Sequence, residues 1–145
     1  MNSDKNIDFK LENTSKLISD NPMVYYYAKD LHSLNTQRQL IFSFCKSNMK
    51  IPGKYYLDYG VSNFLKNKKD LIKMLSSNSN VDVIIASDDR LTRDAVEKLK
   101  IKELCDSKNI KIFNVIENKL VFDDEPMLDF LKDNYNKKTE CKELE

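Results

Sequence analysis

Two arginines, Arg90 and Arg93, are the side chains of this chain best suited to bind an anion. Of its 24 basic residues only three are arginines, the third being Arg38, and the others are lysines. A guanidinium group has a planar fork that binds phosphate or carboxylate through two parallel hydrogen bonds, which an ammonium group cannot do. In a chain that otherwise uses lysine, two arginines three positions apart predict a site for such a ligand. The adjacent Asp89 is a candidate to orient one of them.

The arginines follow the most apolar run of the chain, Val81 to Ala86. Such a run predicts a strand that is buried on both faces, and Thr92 is predicted to cap the helix that begins after it. Ligands of open α/β sheets bind beyond the carboxyl ends of the strands, and a helix N-terminus attracts anions. The sequence therefore predicts a phosphate site in this loop. An aspartate–arginine pair that only caps the helix is the alternative.

Strand and helix patterns alternate from residue 23 onward. Strands are predicted over Met23 to Ala28, Lys54 to Tyr59, Val81 to Ala86 and Ile110 to Ile116, with a short hairpin partner over Lys119 to Phe122. Helices are predicted over Leu34 to Met49, over Asn67 to Leu75, and after Thr92 and Pro126. This order predicts an α/β fold of three layers around a central, mostly parallel sheet of four to five strands.

The 145 residues are enough for one compact domain. We expect an N-terminal extension over residues 1–22, the main domain over residues 23–136 and a polar tail over residues 137–145. Ile7, Phe9 and Leu11 alternate with polar residues in the extension, so that it could add an edge strand. The side chains predicted to face the core from the later helices are Leu71, Ile72, Leu75, Ala95, Val96, Leu99, Leu104, Cys105, Leu128, Leu131 and Tyr135.

Composition excludes several classes of protein. No apolar run approaches the ~18 residues of a membrane-spanning helix, and the N-terminus lacks the layout of a secretory signal, so a cytoplasmic protein with no membrane contact is expected. The cysteines (Cys45, Cys105 and Cys141) are odd in number and have no metal-ligand spacing. Two glycines are too few for a Rossmann or P-loop fingerprint. We therefore predict neither a metal nor a cofactor.

Charge is distributed unevenly along the chain. Residues 23–122 carry 17 basic and 11 acidic side chains, a net charge of +6, whereas residues 123–145 have a net charge of −4. A basic body permits DNA or another polyanion as a partner, and an acidic end opposes a phosphate backbone. DNA binding by this chain alone is therefore expected to be weak.

Four motifs, in order, resemble the catalytic domain of the serine recombinase (resolvase/invertase) family, over about residues 23–117. The run from Asp89 to Arg93 resembles its D-R-L-x-R signature. The other matches are Ser33 to Gln37 with S-L-x-x-Q, Tyr55 to Asn63 with Y-x-D-x-G-x-S-G, and Asn67 to Leu71 with D-R-P-x-L. Asn63 stands where the family has glycine, and Lys68 where it has arginine. The resemblance implies the resolvase catalytic-domain fold.

The resemblance also implies an activity, the cleavage and rejoining of DNA through a phosphoserine intermediate without a metal or other cofactor. Its site residues would be Arg90 and Arg93 on the phosphate, Asp58, Asp89 and Gln37 ordering the site, and Lys68 in place of a third arginine. The chain departs from the family at the nucleophile. Where the family has Y-x-R-V-S, this chain has Tyr27 to Leu31, so that Lys29 replaces arginine and Leu31 replaces the serine. Leucine has no nucleophilic group.

Three interpretations follow from this departure. The first is a degenerate, non-catalytic member without its own DNA-reading domain, which acts by associating with copies of itself or with a recombinase. The second is an active recombinase that uses Ser33, two residues beyond Leu31, as its nucleophile. The third is an unrelated flavodoxin-like domain that binds a small anion.

The first interpretation carries a structural prediction. If phosphate is no longer cleaved, Arg90 and Arg93 are expected to be partly buried and paired with carboxylates. Asp58 is the principal candidate, with Asp89 and Asp30 as further ones. Removing Arg90 would then leave a buried charge unpaired and would cost about 3–5 kcal/mol of folding free energy.

Overall fold

The computed structural model of the chain describes residues 17–122. Strands and helices alternate through this range, as the sequence predicts. In chain order they are β1 (Met23–Ala28), α1 (Leu31–Ser47), β2 (Lys54–Tyr59), α2 (Lys69–Ser77), β3 (Asp82–Ile85), α3 (Ala95–Lys108), β4 (Lys111–Asn114) and β5 (Lys119–Leu120). Single 3-10 turns over Leu65–Asn67 and Asp88–Arg90 precede α2 and α3. The predicted α/β class is confirmed.

The sheet has five strands in the order β2-β1-β3-β4-β5. Strand β1 pairs in parallel with β2 and β3, β3 pairs in parallel with β4, and β5 is antiparallel to β4. Strand β3 therefore lies at the centre, and Val83, Ile84 and Ile85 have no solvent exposure. The expectation that this apolar run is covered on both faces is confirmed, because helices pack on each side.

Helices cover the two faces of the sheet unequally. Helix α1 packs on one face, where Ile41 and Phe44 meet Val24, Tyr26 and other residues of the sheet. Helices α2 and α3 pack on the opposite face around Tyr25 and Tyr27. The three consecutive tyrosines thus alternate between two cores, as side chains of a strand do.

Helices α1 and α3 begin at residues other than the predicted ones, because an aspartate caps each of them. Helix α1 starts at Leu31, since the Asp30 carboxylate accepts a hydrogen bond of 2.8 Å from the Ser33 amide. Helix α3 is capped by Asp94, whose carboxylate accepts the amides of the next turn. The prediction that Thr92 is this cap was wrong. Its hydroxyl instead accepts from the Asp94 amide at 3.1 Å.

Three side chains predicted to face the core, Ile72, Ala95 and Val96, are exposed. Ile72 and Val96 keep 39% and 45% of their surface in solvent. Helices α2 and α3 share one face of the sheet, so each buries only the narrow stripe that faces the strands, represented by Leu71 and Leu99. The predicted edge strand around Phe9 and the predicted helix after Pro126 lie outside the described residues. Between residues 17 and 122, no helix has the length and apolar character needed to cross a bilayer.

Candidate functional site: a cleft at the carboxyl end of the sheet

Asp58, near the end of β2, is buried and saturated by hydrogen bonds. Its carboxylate accepts the backbone amides of Asp70 and Leu71, at 2.9 and 3.0 Å, and the hydroxyl of Tyr25 at 2.8 Å. The carboxylate therefore satisfies two free N–H groups in the first turn of α2. Burial first, and the Asp58 charge second, raise the pKa of Tyr25 far above its usual value. The prediction that Asp58 pairs with the arginines was wrong, because the helix end takes its oxygens.

Lys68 is fully buried and its amino group faces protein atoms. Its Nζ donates to the carbonyl oxygens of Leu91, at 2.6 Å, and Arg90, at 3.2 Å, and to the side chain of Asn63. It also lies 4.3 Å from the centre of the Tyr27 ring, a cation–π contact. Burial lowers the pKa of Lys68 to about 8, against the opposing charge of nearby carboxylates such as Glu97.

These contacts give Lys68 a structural role. The amino group joins the loop after β2 to the backbone of the arginine loop, and thereby fixes where both loops lie. All three N–H donors of the ammonium group have acceptors. The lysine that stands at the third arginine position is therefore directed at backbone carbonyls, beneath the surface to which a ligand would bind.

Arg90 and Arg93 are paired more loosely than the sequence predicts. Asp89 lies 3.9 Å from Arg90 Nε and 3.8 Å from Arg93 Nη2, beyond hydrogen-bond distance. The side chain of Arg93 is 76% exposed, whereas that of Arg90 is 27% exposed. Of the predicted carboxylate partners, Asp89 is the one the structure places beside the guanidinium groups. The expectation that both arginines are partly buried holds for Arg90 and was wrong for Arg93.

Arg90 also contacts the end of β1. Its Nη1 donates to the carbonyl oxygen of Tyr27 at 3.4 Å, while its Nε is buried without a hydrogen-bond partner in the described structure. Gln37 donates to the same carbonyl at 2.7 Å and accepts from the Tyr27 amide at 3.3 Å. The Gln37 side chain thus bonds both backbone polar groups of Tyr27, and it joins α1 to the carbonyl oxygen to which Arg90 also donates.

Ser33 lies on the same chain of contacts. The Nε2 of Gln37 is 3.3 Å from the hydroxyl oxygen of Ser33. That hydroxyl is therefore connected to Arg90 through one amide side chain and one backbone carbonyl. Leu31, at the family's nucleophile position, is the first residue of α1 and is 60% exposed.

Seven residues surround an open depression of about 210 Å³, which we call the arginine cleft. It is formed by Tyr27, Lys29, Asp30, Ser33, Asn63, Arg90 and Arg93. A second, wider depression of about 520 Å³ continues from it past Ser62, Phe64 and Asp94. Three cationic side chains and one carboxylate line the cleft, and Asp89 lies beside the two arginines, so that a net charge of +1 favours an anion.

The structure separates the predicted site residues into two groups. Lys29, Arg90, Arg93 and Ser33 line the arginine cleft, and Asp89 and Gln37 contact residues of it. Asp58 and Lys68 belong to the buried network behind it, and Leu31 is not among the lining residues. Within residues 17–122, no cluster of three or more His, Cys, Asp or Glu side chains could hold a metal.

One contributor to the site was missed from the sequence. Glu97 accepts the Leu65 amide at 3.0 Å and the Thr92 hydroxyl at 2.6 Å, and so joins the loop before α2 to the start of α3. Asp94 followed three residues later by Glu97 is the spacing of a helix capping box. That spacing was the signal available in the sequence.

Comparisons with known proteins agree with this fold. The family model described as "Resolvase, N terminal domain" matches residues 27–134. A search of curated proteins finds no match. The N-terminal catalytic domain of TP901-1 integrase superimposes with a TM-score of 0.62 at 18% identity, covering 83% of this chain and 98% of that one.

Two further solved structures share the fold. A resolvase family site-specific recombinase from Streptococcus pneumoniae has a TM-score of 0.57 at 16% identity, covering 84% of this chain and 91% of that one. The C-terminal catalytic domain of ISC1926 TnpA, an IS607-like serine recombinase, has a TM-score of 0.55 at 23% identity, with coverages of 66% and 69%. These likenesses confirm the predicted resolvase-like sheet and helices.

Proposed function

We propose that this chain, which belongs to the resolvase N-terminal domain family, binds a backbone phosphate of DNA in the arginine cleft without cleaving the strand. Membership of this family removes the alternative of an unrelated flavodoxin-like domain. The observation that carries the proposal is the contrast between the exposed, loosely paired guanidinium group of Arg93 at the cleft and a nucleophile position occupied by Leu31.

The cleft suits a phosphodiester in charge and donors. Arg93 has 76% of its side chain in solvent and one carboxylate neighbour at 3.8 Å, so most of its N–H groups are available to a ligand. Lys29 and Arg90 line the same depression. Guanidinium groups form charge-assisted hydrogen bonds to phosphate oxygens, and such contacts supply most of the affinity for DNA that does not depend on sequence.

Two features oppose cleavage at the family's usual position. Leu31 offers no oxygen to attack phosphorus. Asp30, which lines the cleft, is held in place by its bond to the Ser33 amide. Its negative charge opposes the charge that grows on the phosphate oxygens in a transition state. The Asp30 carboxylate therefore weakens phosphate binding, and it opposes the cleavage step more strongly.

A fluorescence anisotropy titration with a short DNA duplex tests the proposal. Arg93→Ala is compared with Arg38→Ala, which makes the same change of charge but lies in a groove beside α1, away from the cleft. We expect Arg93→Ala to weaken binding about five- to tenfold at low salt and to reduce the slope of log K against log salt by about one. Equal effects of the two variants would contradict a site in the cleft.

A second candidate function is cleavage by Ser33, which is favoured by its position in the arginine cleft. In this reaction the Ser33 oxygen would bond to phosphorus, the bond from phosphorus to the 3′ oxygen would break, and the 3′ oxygen would take up the proton released by the serine. A phosphoserine and a free 3′-hydroxyl would result. Its test is a covalent protein–DNA adduct that disappears in Ser33→Ala; on the primary proposal neither protein forms one.

We further propose that the domain acts in the cytoplasm by associating with another recombinase-family chain, either a second copy or a distinct one. Support comes from Phe64 and Ile72, exposed side chains that line one depression on the α2 side, and from Val96, exposed on neighbouring α3. Sedimentation of wild type and Ile72→Ser tests this. We expect association with an added recombinase or with itself to weaken in the variant. Leu40→Ser, on α1, is the control.

A further inference from the structure

The arginine cleft opens into the wider depression beside it, and the two share Lys29, Asn63 and Arg93. The cleft measures about 210 Å³ and the wider depression about 520 Å³. Pockets that hold small organic ligands usually measure about 300–1,000 Å³. The cleft therefore suits one phosphate group, and the wider depression has room for a further part of the same ligand.

The part of the depression beyond the cleft is lined by Ser62, Phe64 and Asp94. These side chains are a hydroxyl group, an aromatic ring and a carboxylate. The negative charge of Asp94 opposes a second phosphate at this place. A flat, uncharged ring with polar edges is compatible with all three residues, because it can stack on the aromatic ring and form hydrogen bonds to the other two side chains.

Phe64 lies on a loop whose backbone is fixed on both sides of the ring. The residue is 55% exposed. Its amide donates to the carbonyl oxygen of Ser62 at 2.8 Å, and its own carbonyl oxygen accepts the Asn67 amide at 2.9 Å. The next amide, that of Leu65, donates to Glu97 at 3.0 Å. Because the loop is already ordered, little conformational entropy is lost when a ligand stacks on the ring.

We propose that this depression holds one unpaired nucleobase of DNA, stacked on the Phe64 ring, while the adjoining phosphate lies on Arg93 and Lys29. The proposal rests on the phosphate site proposed above and names the form of DNA that this site prefers. A base within a duplex is paired and stacked on its neighbours, and its removal from the stack costs free energy. The depression therefore favours single-stranded DNA over intact duplex. Stacking requires only the flat face that every base has, so the preference for one base over another is small.

Fluorescence anisotropy at low salt tests the base site with two probes, a short oligothymidylate and an abasic strand with the same number of phosphates. We expect wild type to bind the oligothymidylate at least about fivefold more tightly, because of the stacking of a base on an aromatic side chain. Phe64→Ala should bind the two strands equally and should keep the wild-type affinity for the abasic strand, which also shows that the variant is folded. Phe64→Tyr keeps an aromatic ring and should behave like wild type.

The matched control is Phe42→Ala. Phe42 is 68% exposed but lies in the groove beside α1, away from the cleft. This variant should prefer the oligothymidylate as strongly as wild type does. The proposal would be overturned if Phe64→Ala kept the preference for the oligothymidylate, or if Phe64→Ala and Phe42→Ala reduced it equally.

Arg93→Ala separates the base site from the phosphate site, because the abasic strand offers phosphates alone. An unchanged affinity of this variant for the abasic strand would contradict the phosphate site and, with it, the present proposal. Weaker binding by Arg93→Ala with no effect of Phe64→Ala would contradict the base site alone.

Phe64 also borders the depression on the α2 side, so the sedimentation of Phe64→Ala is measured together with its DNA binding. A loss of association in this variant, with the preference for oligothymidylate unchanged, would place the ring in a protein interface and overturn the base site.

Discussion

The buried network around Asp58 and Lys68 and the arginine cleft lie at the same edge of the sheet but differ in how their charges are satisfied. Asp58 accepts three hydrogen bonds and Lys68 donates three, all within the protein. In the cleft, Arg93 has one carboxylate neighbour at 3.8 Å and is largely exposed. Charges with complete sets of internal partners hold the fold, and charges with unused donors are available to a ligand.

The residues of the family-like motifs therefore have two different roles, one structural and one in ligand binding. Of the residues that match the family's motifs, Asp58 and Lys68 form a buried framework that fixes the loops. Arg90 and Arg93 line the cleft, which opens to solvent. Substitutions in the framework should therefore change stability more than binding, and substitutions in the cleft should do the reverse.

Asp58→Ala should lower the free energy of unfolding by about 3–4 kcal/mol. The change leaves two helix amides and the Tyr25 hydroxyl without their acceptor, and each unsatisfied buried group costs about 1–3 kcal/mol, less than additively. Urea denaturation measures the loss. The control is Asp106→Ala, which removes an exposed pair with Lys102 and should cost under about 0.5 kcal/mol. A loss of similar size in both variants would show that Asp58 contributes no more to stability than the exposed carboxylate of Asp106 does.

Lys68 should make stability depend on pH above pH 8. Its pKa is about 8 in the folded protein and about 10.4 in the unfolded chain, so between these values the unfolded state binds more protons. Stability relative to Lys68→Met should therefore rise with pH over this interval, by about 2–3 kcal/mol in total. Denaturation of both proteins at several pH values measures it; the difference cancels the titration of tyrosines. If the stability of wild type relative to Lys68→Met stayed flat or fell with pH, the Lys68 amino group would keep its proton in the folded protein.

Arg90→Ala should cost about 1 kcal/mol of stability, because it removes one long hydrogen bond to Tyr27 and a loose ion pair. It should weaken DNA binding at low salt about fivefold or more. Thermal denaturation and anisotropy titration measure the two effects. A loss of 3–5 kcal/mol with unchanged binding would restore the internally paired arginine that the sequence predicted and would move Arg90 into the framework.

Leu31→Ser should change stability by less than about 0.5 kcal/mol, since the side chain is 60% exposed. It should also leave DNA binding unchanged, because Leu31 does not line the cleft. The melting temperature of Leu31→Ser measures the effect on stability, and a fluorescence anisotropy titration with DNA measures the effect on binding. A large gain or loss of affinity would place residue 31 in contact with the ligand.

The sequence predicts the fold well because its signals are local. Runs of β-branched and aromatic residues place β1 and β2 at their observed bounds. Ile72 and Val96 were mispredicted because periodicity shows which residues of a helix are apolar, but not how much of the sheet a neighbouring helix already covers. The positions of Arg90 and Arg93 beside the end of β1 follow from strand order.

The partners of the charges could not be read from the sequence. Asp58 and Arg90 both lie at the carboxyl edge of the sheet, at the end of β2 and after β3, yet the Asp58 carboxylate accepts amides of α2 that compete directly for its oxygens. Backbone N–H groups are numerous, close and unsatisfied at a helix start, and their availability depends on where the helix begins. Local patterns place that start only to within a few residues.

NMR chemical-shift mapping with a short DNA duplex tests most directly the claim that the cleft, and not the framework, receives the ligand. On titration, the side-chain Nε–H resonances of Arg90 and Arg93 and the backbone amides of Ser33 and Asn63 should shift and saturate together. The Arg38 Nε–H and the amides of Asp70 and Leu71 should stay in place. Shifts confined to Arg38, or equal shifts across all three arginines, would contradict this account.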